Sequence, residues 1–121
     1  MQMWPGPVTF ILPKKSLLPN ELTGGRNSVA VRMPNHPLLL ELIKSVGGAL
    51  IGTSANISGK VPLTKTEDLV KLFNNQVQVI FTQTTPLQGI PSAVVDLTGK
   101  TPVVIRGGSK DLSSLEGYKL E

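Results

Sequence analysis

The chain has no cysteine and a single histidine among its 121 residues. Disulfides and thiolate nucleophiles are therefore excluded, as are zinc sites built on Cys or on several His. A Ser–His–Asp triad has little to stand on, with His36 alone and no Gly-x-Ser-x-Gly turn. Neither Gly-x-x-x-x-Gly-Lys-Ser/Thr nor Gly-x-Gly-x-x-Gly occurs, so a nucleotide would have to be held in another way. The 8 carboxylates are scattered and form no pair suited to glycosidic chemistry. Aromatic residues make up 4% of the chain, so a core must be assembled from Val, Leu and Ile. Near the N-terminus the apolar stretch Val8 to Leu12 is too short for a signal peptide core or a membrane span. The chain is read as cytoplasmic, with no membrane partner. No run of Lys and Arg concentrates the net charge of +4, which suits an anionic ligand such as a nucleotide or RNA and equally suits an ordinary soluble domain.

What is present points to short elements, because 12 glycines and 10 prolines punctuate the chain. Val8 to Leu12 is β-branched and aromatic between prolines and predicts a strand. Pro13 to Asn27 reads as a loop. Ser28 to Arg32 alternates and predicts a second strand. Pro37 suits the first turn of a helix carrying Leu38, Leu39, Leu42, Ile43 and Val46, closed by Gly47-Gly48. Strands are expected at Ala49 to Thr53 and Val77 to Phe81. Between them Thr64-Lys65-Thr66-Glu67 has the form of a capping box, ahead of a short amphipathic helix ending at Asn74-Asn75. Ala93 to Leu97 and Pro102 to Arg106 predict a hairpin. Strand-to-helix crossovers imply parallel pairing and the hairpin implies antiparallel pairing. The expected class is α/β, a twisted mixed parallel/antiparallel sheet with helices packed on it. The expected organisation is one domain over 1–108 and a polar tail over 109–121.

Gly52-Thr53-Ser54-Ala55-Asn56-Ile57-Ser58-Gly59 carries the densest chemistry. Small hydroxyls, an amide and glycines after an apolar run expose backbone N–H groups beside short polar side chains, a way to hold a phosphate or nucleotide edge. The same residues also make ordinary Asx or Ser turns. Ser92 stands at the mouth of an apolar strand and is open to a ligand or to turn chemistry. Arg106 precedes Gly107-Gly108, where a guanidinium can fork onto phosphate or simply be solvated. Arg32 is a similar strand-end arginine. Trp4 reads as packing, His36 as a cap or packing residue, and Leu22 to Arg26 as a glycine loop able to close over a ligand.

Taken in order, these segments resemble the YrdC-like family of threonylcarbamoyl-AMP synthases. The resemblance runs through Trp4-Pro5-Gly6-Pro7-Val8-Thr9, Leu22-Thr23-Gly24-Gly25 and Val29-Ala30-Val31-Arg32-Met33-Pro34-Asn35-His36-Pro37. It continues in Thr53 to Gly59, Pro91-Ser92-Ala93-Val94-Val95-Asp96 and Val104-Ile105-Arg106-Gly107-Gly108. It implies a YrdC-like α/β sheet with a basic concave face. It also implies a nucleotidyltransferase that joins L-threonine, bicarbonate and ATP into threonylcarbamoyl-adenylate and releases pyrophosphate. A partner threonylcarbamoyl-transferase then acts on adenosine 37 of tRNA. ATP is a substrate in this scheme, with Mg2+ on its triphosphate and no protein metal site.

By motif, Ser54 and Asn56 are expected at the nucleotide, Ser92 and Arg106 near the adenylate and its phosphates, and Arg32 and Thr9 at the pocket or shaping it. No residue need be a covalent nucleophile. The chain departs from the family in beginning three residues before Trp4, without the Pro-Thr-x-Thr-x-Tyr-Gly-Leu-like segment and the Lys-x-Arg motif. Ala93 also stands where the family usually has threonine. The expectation is an incomplete domain whose open strand edges favour self-association. The alternative is a remnant of the fold that binds RNA or nucleotide without turning it over.

Overall fold

A computed structural model describes residues 3–82, 89–115, 117 and 119. Those residues fall into two units, 1–49 with 91–121 and 50–90. Residues 116, 118, 120 and 121 of the expected tail lie outside the described set.

The first unit holds a four-stranded sheet of β1 (Val8–Pro13), β2 (Ser28–Val31), β3 (Ala93–Asp96) and β4 (Val103–Arg106), ordered β2-β1-β3-β4. β1 pairs antiparallel with β2 and parallel with β3, and β3 pairs antiparallel with β4. The expected mixed sheet is therefore present, although β1 and β3 meet across some 80 intervening residues rather than through one short crossover.

Register assigns the faces, since paired positions point the same way and neighbours along a strand point oppositely. Val8 pairs with Ala93 and Phe10 with Val95, giving one apolar face. Val8, Ala93 and Val95 are its fully buried members. The Trp4 ring lies 5.0 Å from that of Phe10 and its Nε1–H donates to the Val8 carbonyl at 2.8 Å. Trp4 is thus the packing residue that its sequence neighbourhood predicts, with its polar edge satisfied. The opposite face carries Thr9, Ile11, Ala30, Val94 and Asp96.

Two helices lie in the first unit. The short α1 (Asn20–Thr23) sits inside the expected loop and ends on Gly24 in the left-handed region. α2 (Pro37–Ser45) begins after His36, whose Nδ1 accepts from the Leu39 N–H, as a capping histidine should. α2 buries none of its residues. The second unit holds α3 (Thr66–Phe73). Three expectations fail. Residues 49–53 and 77–81 are not in strands, and Ile51, Val79 and Phe81 are exposed. Apolar, β-branched sequence makes a strand only where a neighbour supplies the ladder, and none is paired to either run. The capping box does not form, because Lys65 is the N-cap and no side chain caps the helix. The Thr64 methyl instead lies beside Gly89. Among the described residues no helix is long and apolar enough to cross a membrane.

Candidate functional site

The polar end of the sheet in the first unit is built around one peptide group. The Ala93 N–H donates to the Pro7 carbonyl at 3.0 Å, which fixes the Ser92–Ala93 peptide on its β1 side. On its β4 side the Ser92 carbonyl accepts two hydrogen bonds from Arg106, from Nε at 3.1 Å and from Nη2 at 2.9 Å. The Ser92 hydroxyl meets that of Thr9 at 2.8 Å. The structure thus brings Thr9, Ser92 and Arg106 together, although they are dispersed over nearly 100 positions of sequence.

Arg106 reaches this place through a β-bulge. Val104 lies opposite Val95, while Arg106 lies opposite Val94, with the register shifting between them. Strict alternation from Val104 would give Ile105 the face of Val94 and send Arg106 to the other side. The extra residue resets the phase, a common use of bulges beside functional sites. Nothing in Val103-Val104-Ile105-Arg106 announces it. A second close approach follows: a Cβ on Gly108 would collide with the Ala93 nitrogen and lie 3.1 Å from the Pro91 carbonyl oxygen. Only glycine lets the chain after Arg106 pass over the Pro91–Ala93 backbone. Gly108 belongs to the construction of the site and was named only within a motif.

The chemistry left over is defined by what is already spent. Guanidinium carries five N–H donors. Nε and Nη2 give one each to a single carbonyl, so the side edge is occupied and the end edge of Nη1 and Nη2 is open. That edge matches a carboxylate or phosphate in bidentate geometry. The Thr9–Ser92 pair shares one proton between its oxygens and keeps a second O–H together with free lone pairs. Arg32, one residue past β2, donates from Nε to the Gly6 carbonyl at 3.0 Å, and the Gly6 N–H donates to the Met33 carbonyl at 2.8 Å. Alternation from Ala30 puts Arg32 on the same face as Thr9. Its Nε ties down the Trp4–Pro7 turn, and Nη1 and Nη2 take no part in that contact.

The Leu22 to Arg26 corner is built as an anchored turn. Thr23 is its buried member, and its hydroxyl bonds the carbonyls of Asn20 and Arg26 at 3.3 and 2.9 Å.

Ser54 and Asn56 belong to the second unit and form a loop of their own. The Lys60 N–H donates to the Ile57 carbonyl at 2.9 Å, with Gly59 at φ +78°, the positive φ that a type II turn needs at its third position. The Asn56 amide nitrogen donates to the carbonyls of Ile57 and Lys60 at 2.8 and 2.9 Å. The Leu63 N–H closes the loop onto the Ala55 carbonyl at 3.2 Å. Asn56 is therefore a staple of this turn. Its two amide protons are spent on backbone, while Oδ1 is buried with no hydrogen-bond donor among the described residues. A buried acceptor without a partner is costly. Ser54 is exposed and offers its hydroxyl to solvent.

No group of three or more His, Asp or Glu side chains gathers as a metal site among the described residues.

Comparison with known proteins shows the family. A family model for Sua5/YciO/YrdC proteins, described as telomere recombination, matches residues 1–108. A threonylcarbamoyl-AMP synthase of Pyrococcus abyssi is 38% identical over 115 residues, covering 95% of this chain and 34% of that protein. One of Klebsiella pneumoniae is 42% identical over 98 residues, covering 80% of this chain and 51% of the relative. Among solved structures, that of P. abyssi Sua5 complexed with L-threonine superposes with a TM-score of 0.83 at 39% identity, covering 93% of this chain and 33% of that one. The chain thus spans between about a third and a half of the length of these relatives.

Proposed function

Because the chain belongs to the Sua5/YciO/YrdC family, we propose that its sheet end is part of a threonylcarbamoyl-adenylate-forming pocket. The observation that carries this reading is the Arg106 fork, its side edge consumed by the Ser92 carbonyl and its end edge free, beside two paired hydroxyls. Relatives named threonylcarbamoyl-AMP synthase and a related protein crystallised with L-threonine support it.

In this proposal the L-threonine amine forms a C–N bond to the carbon of bicarbonate, a C–O bond breaks, water leaves and a carbamate remains. One of its oxygens attacks the α-phosphorus of ATP, the bond to the bridging oxygen breaks, and pyrophosphate departs. The acyl adenylate that remains passes to a partner transferase and so to tRNA in the cytoplasm. Two anions must be brought together, and positioning with charge neutralisation supplies the catalysis. The end edge of Arg106 takes a carboxylate or phosphate. The Ser92 hydroxyl, paired with that of Thr9, offers O–H to an oxyanion or a lone pair to an ammonium. Arg32 offers Nη1 and Nη2 from the same face. Within the second unit, taken by itself, the Ser54 hydroxyl is open to a nucleotide, on a turn that the Asn56 amide nitrogen holds. Magnesium enters with the triphosphate, which carries its oxygens, in keeping with how that ion usually binds.

The test is a thermal shift with ATP and magnesium, bicarbonate and L-threonine, singly and together. A ligand that binds the folded state must raise the midpoint. The expected result is a rise with ATP that grows on adding L-threonine, followed by pyrophosphate release. A rise with ATP or tRNA alone, with no response to L-threonine and no pyrophosphate, would replace this reading with a non-catalytic binding module.

A further inference from the structure

The Ser92–Ala93 peptide is clamped on both edges, by Pro7 and by Arg106. Neither clamp touches the Ser92 side chain. A serine hydroxyl is otherwise free to turn among three staggered positions, and among the described residues its side-chain partner is the Thr9 hydroxyl at 2.8 Å. We propose that Thr9 is a positioning residue, setting the direction of the Ser92 hydroxyl rather than meeting a ligand itself. This rests on the reading of the sheet end as the adenylate pocket.

Three observations favour threonine in that role. Thr9 lies within β1, an interior strand of the sheet, so its backbone is held on both sides. Its β-branched side chain has a stiff χ1, which makes it a firmer anchor than the serine it holds. Both residues are half-buried, where a hydroxyl without a partner is penalised more than at the surface. The pair also has a property that a fixed donor lacks. Either oxygen can supply the shared proton. Reversing that one bond turns Ser92 from donor to acceptor with no heavy atom moving. A site that must receive first an ammonium and carboxylate, then a phosphate, gains from such a reversible pair.

The test uses the isotopically labelled chain and three variants, Thr9→Val, Thr9→Ser and Ser92→Ala. In ligand-free protein, three-bond couplings across the Ser92 Cα–Cβ bond should report a single rotamer for the wild type and for Thr9→Ser, and an averaged one for Thr9→Val. Calorimetric titration with L-threonine, and with ATP and magnesium, should show about a fivefold loss of affinity for Thr9→Val, the scale of one hydrogen bond, and recovery in Thr9→Ser. In the Ser92→Ala background Thr9→Val should add no further loss, because its effect passes through the missing hydroxyl. A single Ser92 rotamer in Thr9→Val would overturn the proposal, as would a loss that adds in full on top of Ser92→Ala. Should the wild type bind neither ligand, the adenylate reading fails, while the ligand-free couplings still decide the role of Thr9.

Discussion

The two regions that carry the candidate residues hold their side chains by different means. At the sheet end, Thr9, Ser92 and Arg106 are fixed by strands distant in sequence, with Val8, Ala93 and Val95 buried alongside. The loop around Asn56 is fixed by bonds among residues 54 to 63, and no described residue of its unit is buried. A position held by long-range packing shares the fate of the whole sheet. A position held by a local turn can loosen while everything else stays folded.

Several substitutions sharpen or break that contrast. The largest effect is expected from Gly108→Val, whose Cβ would collide with the Ala93 nitrogen. Overpacking on that scale should destabilise the sheet unit by about 3 kcal/mol, read as a lower urea midpoint, with the Arg106 fork lost alongside. Next is Val95→Ala, which removes buried methyl groups from the centre of the sheet. About 2 kcal/mol is expected, again from denaturant unfolding. Asn56→Ala should behave otherwise. It removes two hydrogen bonds to backbone within the loop, and should speed hydrogen exchange at the Lys60 and Leu63 amides while leaving the sheet's unfolding midpoint within about 0.5 kcal/mol. A fall in that midpoint as large as that of Val95→Ala would erase the distinction between the two regions.

The smallest effect concerns acid. The Asp96 carboxylate accepts from the Thr98 hydroxyl at 2.7 Å and from its N–H at 2.8 Å. The side-chain bond first and the backbone bond second hold its pKa below the ordinary 3.8. A lowered folded pKa means stability that is present above that ordinary value and lost as pH falls through the folded one. Asp96→Asn should flatten that acid limb through a small loss of stability at neutral pH, with stability at low pH almost unchanged. An acid limb identical to that of the wild type would remove Asp96 from the account.

The four strands of the sheet were legible because each is a short β-branched run with a clear boundary. The same signal at residues 49–53 and 77–81 gave strands that are not there. Composition reports a taste for extended backbone and cannot report whether a neighbouring strand stands beside it. The reverse happened at α1, where Asn20 to Thr23 make one helical turn inside what reads as a loop, too short to show a period. Site residues were legible as types and in their family order. Their division of labour was not. Arg106 reads as a phosphate fork, yet half of its fork is spent on Ser92, and the bulge that aims it leaves no mark in the sequence. Asn56 posed a choice between turn and ligand. Its amide nitrogen is spent in the turn, and its oxygen is buried with no donor among the described residues.

The parallel pairing of β1 with β3 also sets an order in time. Thr9 and Ser92 are separated by 83 positions, and bringing such distant segments together carries a closure entropy that local pairs escape. The antiparallel pair β1–β2 spans a far shorter stretch and can form while the remainder of the chain is still being made. Pulse-labelled amide exchange should find Leu12 and Val29 protected before Ala93 and Leu97. The polar end of the sheet is then a late arrival in folding, assembled only after the ribosome has released enough chain for Arg106 to swing back across β3.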